Sequence, residues 1–318
     1  MALAKSTGIR SRKKTIWKRA AENWQMYLFL LLPLVWLFIF KYWPMYGAQI
    51  AFRNYKVAMG ITGSPWVGFA QFEKFFRSVY FKRVVGNTLF LSLYSMIVGF
   101  PLPILFALLL NSVRSKRWRS AVENVTYMPY FISAVVLVGI LKRVFDLNSG
   151  LFSNILMQLT GSKMETDLFR GNVNFQNLYV WSGVWQGTGW GSIIYMAALS
   201  NVDPEQHEAA TIDGASRWQR LIHVDLPAIV PTITITLILR CGSLMSIGFD
   251  KAFLMQNDTN LAASEVISTY VYKVGLTASG GNNFSYSTAI GLFNSVINLI
   301  MISLVNFVSN RINGSGLW

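Results

Sequence analysis

Charge is scarce in this sequence. Only 13% of its 318 residues are Asp, Glu, Lys or Arg, about half the share of an ordinary soluble domain. A soluble fold of this length needs more polar surface. A mean hydropathy of +0.39 with 53% hydrophobic residues fits a chain that crosses a bilayer several times, so length says little about domain count. Cysteine is nearly absent. Cys241 stands alone, which excludes a disulfide framework within the chain, and His207 and His223 are too few to complete a zinc site beside it. Acidic residues number 14 against 28 basic ones, a net charge of +14. In a soluble chain that excess would suggest nucleic acid. Here no nucleic-acid motif accompanies it, and it fits loops that face an anionic leaflet.

Catalytic signatures are missing too. No G-x-x-x-x-G-K-[ST] occurs, since the glycines of "GITGSPWVG" (60–68) lack the Lys-Ser/Thr end. No H-E-x-x-H or G-x-S-x-G is present either. The expectation is a chain that is not an enzyme, binds no metal or cofactor of its own, and draws energy from a partner.

Long apolar runs are what the sequence has. About 20 such residues span a bilayer, and six candidates appear: Met26–Tyr42, Val85–Leu110, Val125–Leu141, Leu178–Leu199, Ile229–Phe249 and Ser287–Val308. Pro101 and Pro103 predict a kink in the second. The fold class expected is therefore an all-α membrane protein with six transmembrane helices. A basic segment, 1–25, precedes a single six-span domain, 26–312, and a short tail, 313–318. The stretch before the first span and "NSVRSKRWRS" (111–120) are densely basic, which places both inside, and with six spans both termini are cytoplasmic. The first apolar run is read as a retained span rather than a cleaved signal peptide.

The segment 201–227, then also cytoplasmic, breaks the charge bias. It carries Arg217 and Arg220 but five acids, Asp203, Glu205, Glu208, Asp213 and Asp225. Asp203-Pro204 is a helix start, Asp213-Gly214 an interruption, and Ser216 with Gln219 a capping box. Two short helices hinged at Gly214 are expected, the second ended by Pro227. Small residues at Ala209, Ala210 and Ala215 keep the surface shallow enough for another protein to approach.

The stretch "EAATIDGASRWQRLIHVDLPAIVP" (208–231) resembles the EAA loop of ABC-importer permeases, with Glu208, Ala209, Ala210, Asp213, Gly214, Ala215, Leu226, Pro227 and Pro231 in register. Leu221 stands where an aromatic is common. "AFRNYKVAMGITGSPWVGFAQFEKFF" (51–76), "YMPYFISAVVLVGIL" (127–141), "VWQGTGWGSIIYMAALSNVDPE" (184–205) and the final "GLW" resemble maltose-type sugar permeases, nearest the lipoprotein and polysaccharide permease subgroup. The resemblance implies a type I importer fold in the bacterial plasma membrane and a second, non-identical permease. It also implies two ATPase subunits that carry ATP and Mg, an external substrate-binding protein, and a carbohydrate cargo. It assigns ATPase docking to the loop, Glu208 foremost, with Arg217 on the same surface.

Polar and aromatic residues in the spans are pathway candidates, because sugars pair apolar CH patches with a rim of hydroxyls. They are Asn87, Tyr94, Trp185, Gln186, Trp190, Tyr195, Arg240, Asn294 and Asn298. The competing reading gives the aromatics to the interfacial belt and the asparagines to helix contacts. Arg240, placed mid-span, costs about 2.5–3.5 kcal/mol on insertion scales and needs a partner or water. Asp250 is too far along one helix to pair with it. Before the second span, Phe69, Phe72, Phe75, Phe76 and Tyr80 recur at helical spacing and suggest an interfacial helix, and "DLNSGLFSNILMQLTG" (146–161) suggests a short external one. The alternatives are an importer for another solute and a non-transporting sensor or scaffold on the same fold.

Overall fold

The computed structural model describes residues 22–162, 167–277 and 283–313. The basic segment before residue 22 and the tail beyond 313 lie outside them, so the expectations placed there have no structural counterpart. Every regular element described is a helix, apart from one isolated bridge between Arg53 and Trp66. Among the described residues, four helices are long and apolar enough to cross a membrane: Trp24–Phe52, Val79–Asn111, Arg217–Gly242 and Phe284–Arg311. A bent pair, Lys116–Phe131 and Ala134–Val144, makes a fifth if counted as one span.

The first helix, α1 (Trp24–Leu37), widens into a π turn at Phe38–Tyr42 and then tightens into a 3-10 stretch, Trp43–Phe52. α1 itself buries no residue within the chain. A helix apolar all round and unburied by its own fold suits lipid or another subunit. Next, α2 (Ala70–Arg77) leads into α3 (Val79–Gly99) and α4 (Pro101–Asn111). The break at Phe100 is small. Pro101 opens α4, where its missing N–H costs nothing, and the pair runs on as one span of 33 residues.

The aromatics around α2 divide between the bundle and the exposed surface. Phe75 is fully buried against Phe81, Tyr286 and Phe293, and Phe72 packs on Phe52. Phe69, Phe76 and Tyr80 stay exposed. The helix turns its rings onto the bundle because rings give large apolar contact there.

The third candidate span is broken. α5 (Lys116–Tyr127) ends in the turn Met128–Phe131, and α6 (Ala134–Val144) leaves at 101°. Pro129 and extended Ile132 interrupt the helix, and the Ser133 side chain caps the new one through the Val136 N–H. The short helix expected within 146–161 appears as α7 (Leu151–Thr160).

The central element is α8 (Asn172–Leu199), 28 residues and so about 42 Å long. It is outside the four most apolar helices because Asn, Gln, Gly and Trp punctuate it. Small residues along it admit neighbours closely: a side chain at Gly189 would collide with the Thr126 carbonyl of α5. Ile104, Ala107 and Leu108 of α4 pack with Tyr195 and Met196 of α8 and Ile229 at one end of the bundle. Leu91, Phe175, Leu178, Val180 and Met255 form a second core. Phe75, Val84, Tyr270 and Ile290 form a third.

After α8 come α9 (Pro204–Ile212) and α10 (Arg217–Gly242). The second short helix expected in the loop does not exist as a separate unit, and Pro227 does not end it. Residues 217–220 pass through a π turn, Leu221–Asp225, straight into the membrane helix. The wide turn lies where the carbonyl four residues before Pro227 would meet its ring. The fifth span also ends early. Gly242 closes α10, and α11 (Phe249–Met255) begins after a non-helical stretch. Arg240 is thus in the last turn of its helix, not mid-span. The last elements are α12 (Leu261–Ser264), α13 (Ile267–Leu276) and α14 (Phe284–Asn313), the last running beyond the Ser287–Val308 expected.

Candidate functional site

Two regions gather the candidate residues. The first is the 201–227 loop. Asp203 caps α9 by accepting from the Glu205 N–H at 3.0 Å. The helix stops in a Schellman arrangement: Ala215 N–H bonds the Ala210 carbonyl at 2.9 Å and Gly214 N–H that of Thr211 at 3.1 Å. Gly214 sits at φ +78°, a left-handed backbone that other residues adopt at a cost of about 1–2 kcal/mol. Ser216 and Gln219 then cap α10 reciprocally, as the sequence implied.

The loop is held as one body. Arg220 donates from Nη1 to Thr211 Oγ1 at 2.6 Å, bridging the glycine. His207 Nε2 lies 3.2 Å from Asp225 Oδ1, a buried carboxylate, and Asn111 Nδ2 donates to the same oxygen at 3.5 Å. Outward, Glu208, Ala209, Asp213 and Arg217 are exposed, with Ile212 87% and Trp218 65% accessible. Ala210, Asp213, Gly214 and Ala215 line a cavity of about 260 Å³ that the Arg220 and His223 side of α10 closes. An exposed acid between two bare apolar side chains on an internally braced loop is a surface another protein can bind.

The second region is the bundle interior, and it does not collect the pathway candidates in one place. Several serve the scaffold. Asn87 donates to the Ala262 and Glu265 carbonyls at 2.7 and 3.0 Å. Tyr94 donates to Asn177 Oδ1 at 2.8 Å and accepts from Trp181. Trp190 stacks on Tyr130 with centroids 4.5 Å apart. Tyr195 pairs with Thr236 at 2.9 Å. Asn298 takes the Met245 N–H at 2.9 Å and donates to Ser246, holding the stretch where α10 ends. Trp185 is exposed. Asn294 borders a mostly apolar cavity of about 460 Å³ with Phe249, Val271 and Tyr272, and its buried Oδ1 has no hydrogen-bond partner among the described residues.

Gln186 and Arg240 border one cavity. Gln186 donates to the Ile132 carbonyl, freed by the break in the bent pair, at 2.7 Å. Both residues border a cavity of about 250 Å³ between α3, α8 and α10, together with Ser95, Tyr179 and Lys251. A neighbouring cavity of about 170 Å³ shares Ser95, Tyr179 and Arg240 and adds Ser92 and Ser243. Lys251 was not among the sequence candidates. The non-helical stretch at 243–248 carries it back against α8, where its Nζ donates to the Tyr179 carbonyl.

One further ionic knot was also missed. Glu265, 2% accessible at its side chain, pairs with Arg83 and lies 3.5 Å from Lys273. It joins α3 to α13.

Residues 99–314 match the family described as binding-protein-dependent transport system inner membrane component. The chain is 39% identical to Protein LplB of Bacillus subtilis over 298 residues, 93% of this chain and 92% of the relative. It is 35% identical to the polygalacturonan/rhamnogalacturonan transport system permease protein YteP of the same organism, over 97% of this chain and 95% of the relative. Among solved structures it is similar to a chain of a bacterial ABC transporter involved in the import of the acidic polysaccharide alginate. That match has a TM-score of 0.84 and 37% identity and covers 93% of this chain and 99% of the other. It is also similar to a chain of a bacterial alginate ABC transporter in complex with a periplasmic protein bound to an alginate pentasaccharide, at TM-score 0.85 and 36% identity. On these grounds the chain is an integral membrane protein that belongs to the binding-protein-dependent transport system inner membrane component family.

Proposed function

We propose that this chain is the transmembrane subunit of an ATP-driven importer and forms half of the route for a carbohydrate, an oligosaccharide or glycoside. The sugar-transport names of its relatives over nearly full length support the cargo class. In this reading the chain crosses the bacterial cytoplasmic membrane six times, α8 and the bent pair included, with both termini inside. A second permease chain completes the route, an external binding protein delivers the cargo, and two ATPase subunits supply energy. The chain binds no cofactor, and ATP and Mg reside on the ATPases.

The observation that carries the coupling is the unbroken helix from Arg217 to Gly242. One end abuts the exposed loop surface around Glu208, and the other sets Arg240 at the border of the bundle cavity. Glu208, Ala209, Ala210, Asp213, Gly214, Ala215, Arg217 and Pro227 form or support the docking surface. ATP-driven closure of the ATPases moves the loop, and α10 carries the motion inward. Such a device needs two packings biased by ligand.

The test is co-purification from the native membrane in mild detergent, followed by reconstitution and labelled-sugar uptake. An ATPase and a second permease are expected in the complex, with concentrative uptake that stops when an ATPase variant blocks hydrolysis. Uptake that persists without hydrolysis would rule the reading out.

A further inference from the structure

Two cations border the adjoining cavities between α3, α8 and α10, and no carboxylate lines either cavity. The Arg240 guanidinium makes no hydrogen bond or ion pair among the described residues. Lys251 is positioned by neutral groups alone. Its Nζ donates to the Tyr179 carbonyl at 2.7 Å and lies 4.7 Å from the Tyr179 ring centroid. That uses one of three ammonium donors. Gly183 makes room for it: a Cβ there would come within 3.2 Å of Nζ. Asp250, adjacent in sequence, forms no ion pair with either cation among the described residues.

An ammonium removed from water without a counter-charge is costly, and two like charges beside one cavity repel each other. A structural role would be served by an acid in the same cavity, as Glu265 serves Arg83 and Lys273 elsewhere in this chain. The remaining polar lining is hydroxyl and amide: Ser95, Thr188 and Gln186. Such a wall offers charge-assisted bonds to a carboxylate and neutral bonds to hydroxyls.

We infer that Arg240 and Lys251 form a carboxylate-reading site on the translocation route, and that the cargo is an anionic oligosaccharide of uronate type. This rests on the carbohydrate-importer reading above. The planar guanidinium suits bidentate capture, and the ammonium acts as a movable point charge. A carboxylate passing from one to the other meets two moderate sites instead of one deep trap, which favours release.

The test uses the complete complex in proteoliposomes. Uptake of galacturonate, glucuronate and mannuronate tetramers is measured, each beside its carboxyl-reduced counterpart. The native complex is expected to favour at least one uronate over its reduced form. Arg240→Gln and Lys251→Gln are each expected to narrow that ratio about tenfold, the worth of a charged hydrogen bond, whereas Arg240→Lys keeps most of it. Three results overturn the inference. A native ratio at or below one does so whatever the variants show, and so does a uronate preference unchanged in both Gln variants. Uptake of no saccharide of either kind removes the carbohydrate reading as well. Transport of the neutral forms alone removes only the charge-reading site.

Discussion

His207 Nε2 and Asp225 Oδ1, 3.2 Å apart, fasten the acidic helix of the loop to the root of the membrane helix that follows it. Asn111 reaches the same oxygen from the end of α4. One buried carboxylate therefore ties three elements together at one end of the bundle. His207→Ala and Asp225→Asn are each expected to lower the melting temperature of the purified complex and to halve uptake or worse. In a double-mutant cycle the two losses should fall short of additive by about 1 kcal/mol. Full additivity would mean that the two residues do not act through each other.

Gly214 offers a separate handle on the same loop. Its φ of +78° is out of reach for proline, whose ring fixes φ near −65°. Gly214→Pro, like Glu208→Ala, should leave the chain in the membrane but uncouple ATP hydrolysis from uptake. Membrane fractionation with paired hydrolysis and uptake assays reads this directly. Normal coupled uptake in both variants would remove the loop from the energy path.

Glu265 anchors Arg83 and Lys273 from a site closed to solvent. Breaking a fully buried pair costs about 3–5 kcal/mol, and the partly exposed cations here reduce that to about 2 kcal/mol. Glu265→Gln should show this loss in a thermal unfolding series in detergent. A variant as stable as the native chain would make the knot a surface pair in effect.

Gly189 governs the approach of α5 to α8. A methyl group there collides with the Thr126 carbonyl, and backbone gives way poorly. Gly189→Ala should destabilise the fold by about 1–3 kcal/mol, seen as reduced yield and a lower melting temperature. Gly187→Ala, with open space around it, is the control and should behave as native.

Most of the helices were legible in the sequence, because bilayer length and apolar runs leave few other solutions. The caps of the loop were legible as well: Asp203, Gly214 and the Ser216–Gln219 pair use local chemistry that needs no tertiary contact. What the sequence hid depends on distant partners. Continuity through Pro227 rests on a π turn that no composition signals. The end of α10 at Gly242 rests on Asn298, which satisfies the Met245 N–H from another helix. Asn87 and Tyr94, both pathway candidates, each bond a different neighbour. Lys251 was overlooked because its position depends on how a non-helical stretch folds back.

The unbroken course of α10 also sets a mechanical ratio. Its 26 residues make a rod of about 39 Å. A tilt of about 10° about the Arg217 end sweeps the Gly242 end through about 7 Å, more than the rise of one helical turn. Arg240 rides near the tip of that arm and Lys251 does not, because Lys251 is fixed to α8 through Tyr179. In the proposed coupling, a small stroke at the loop would alter the spacing between the two cations far more than it alters the loop itself, so that a grip on a charged group would open and close with the stroke.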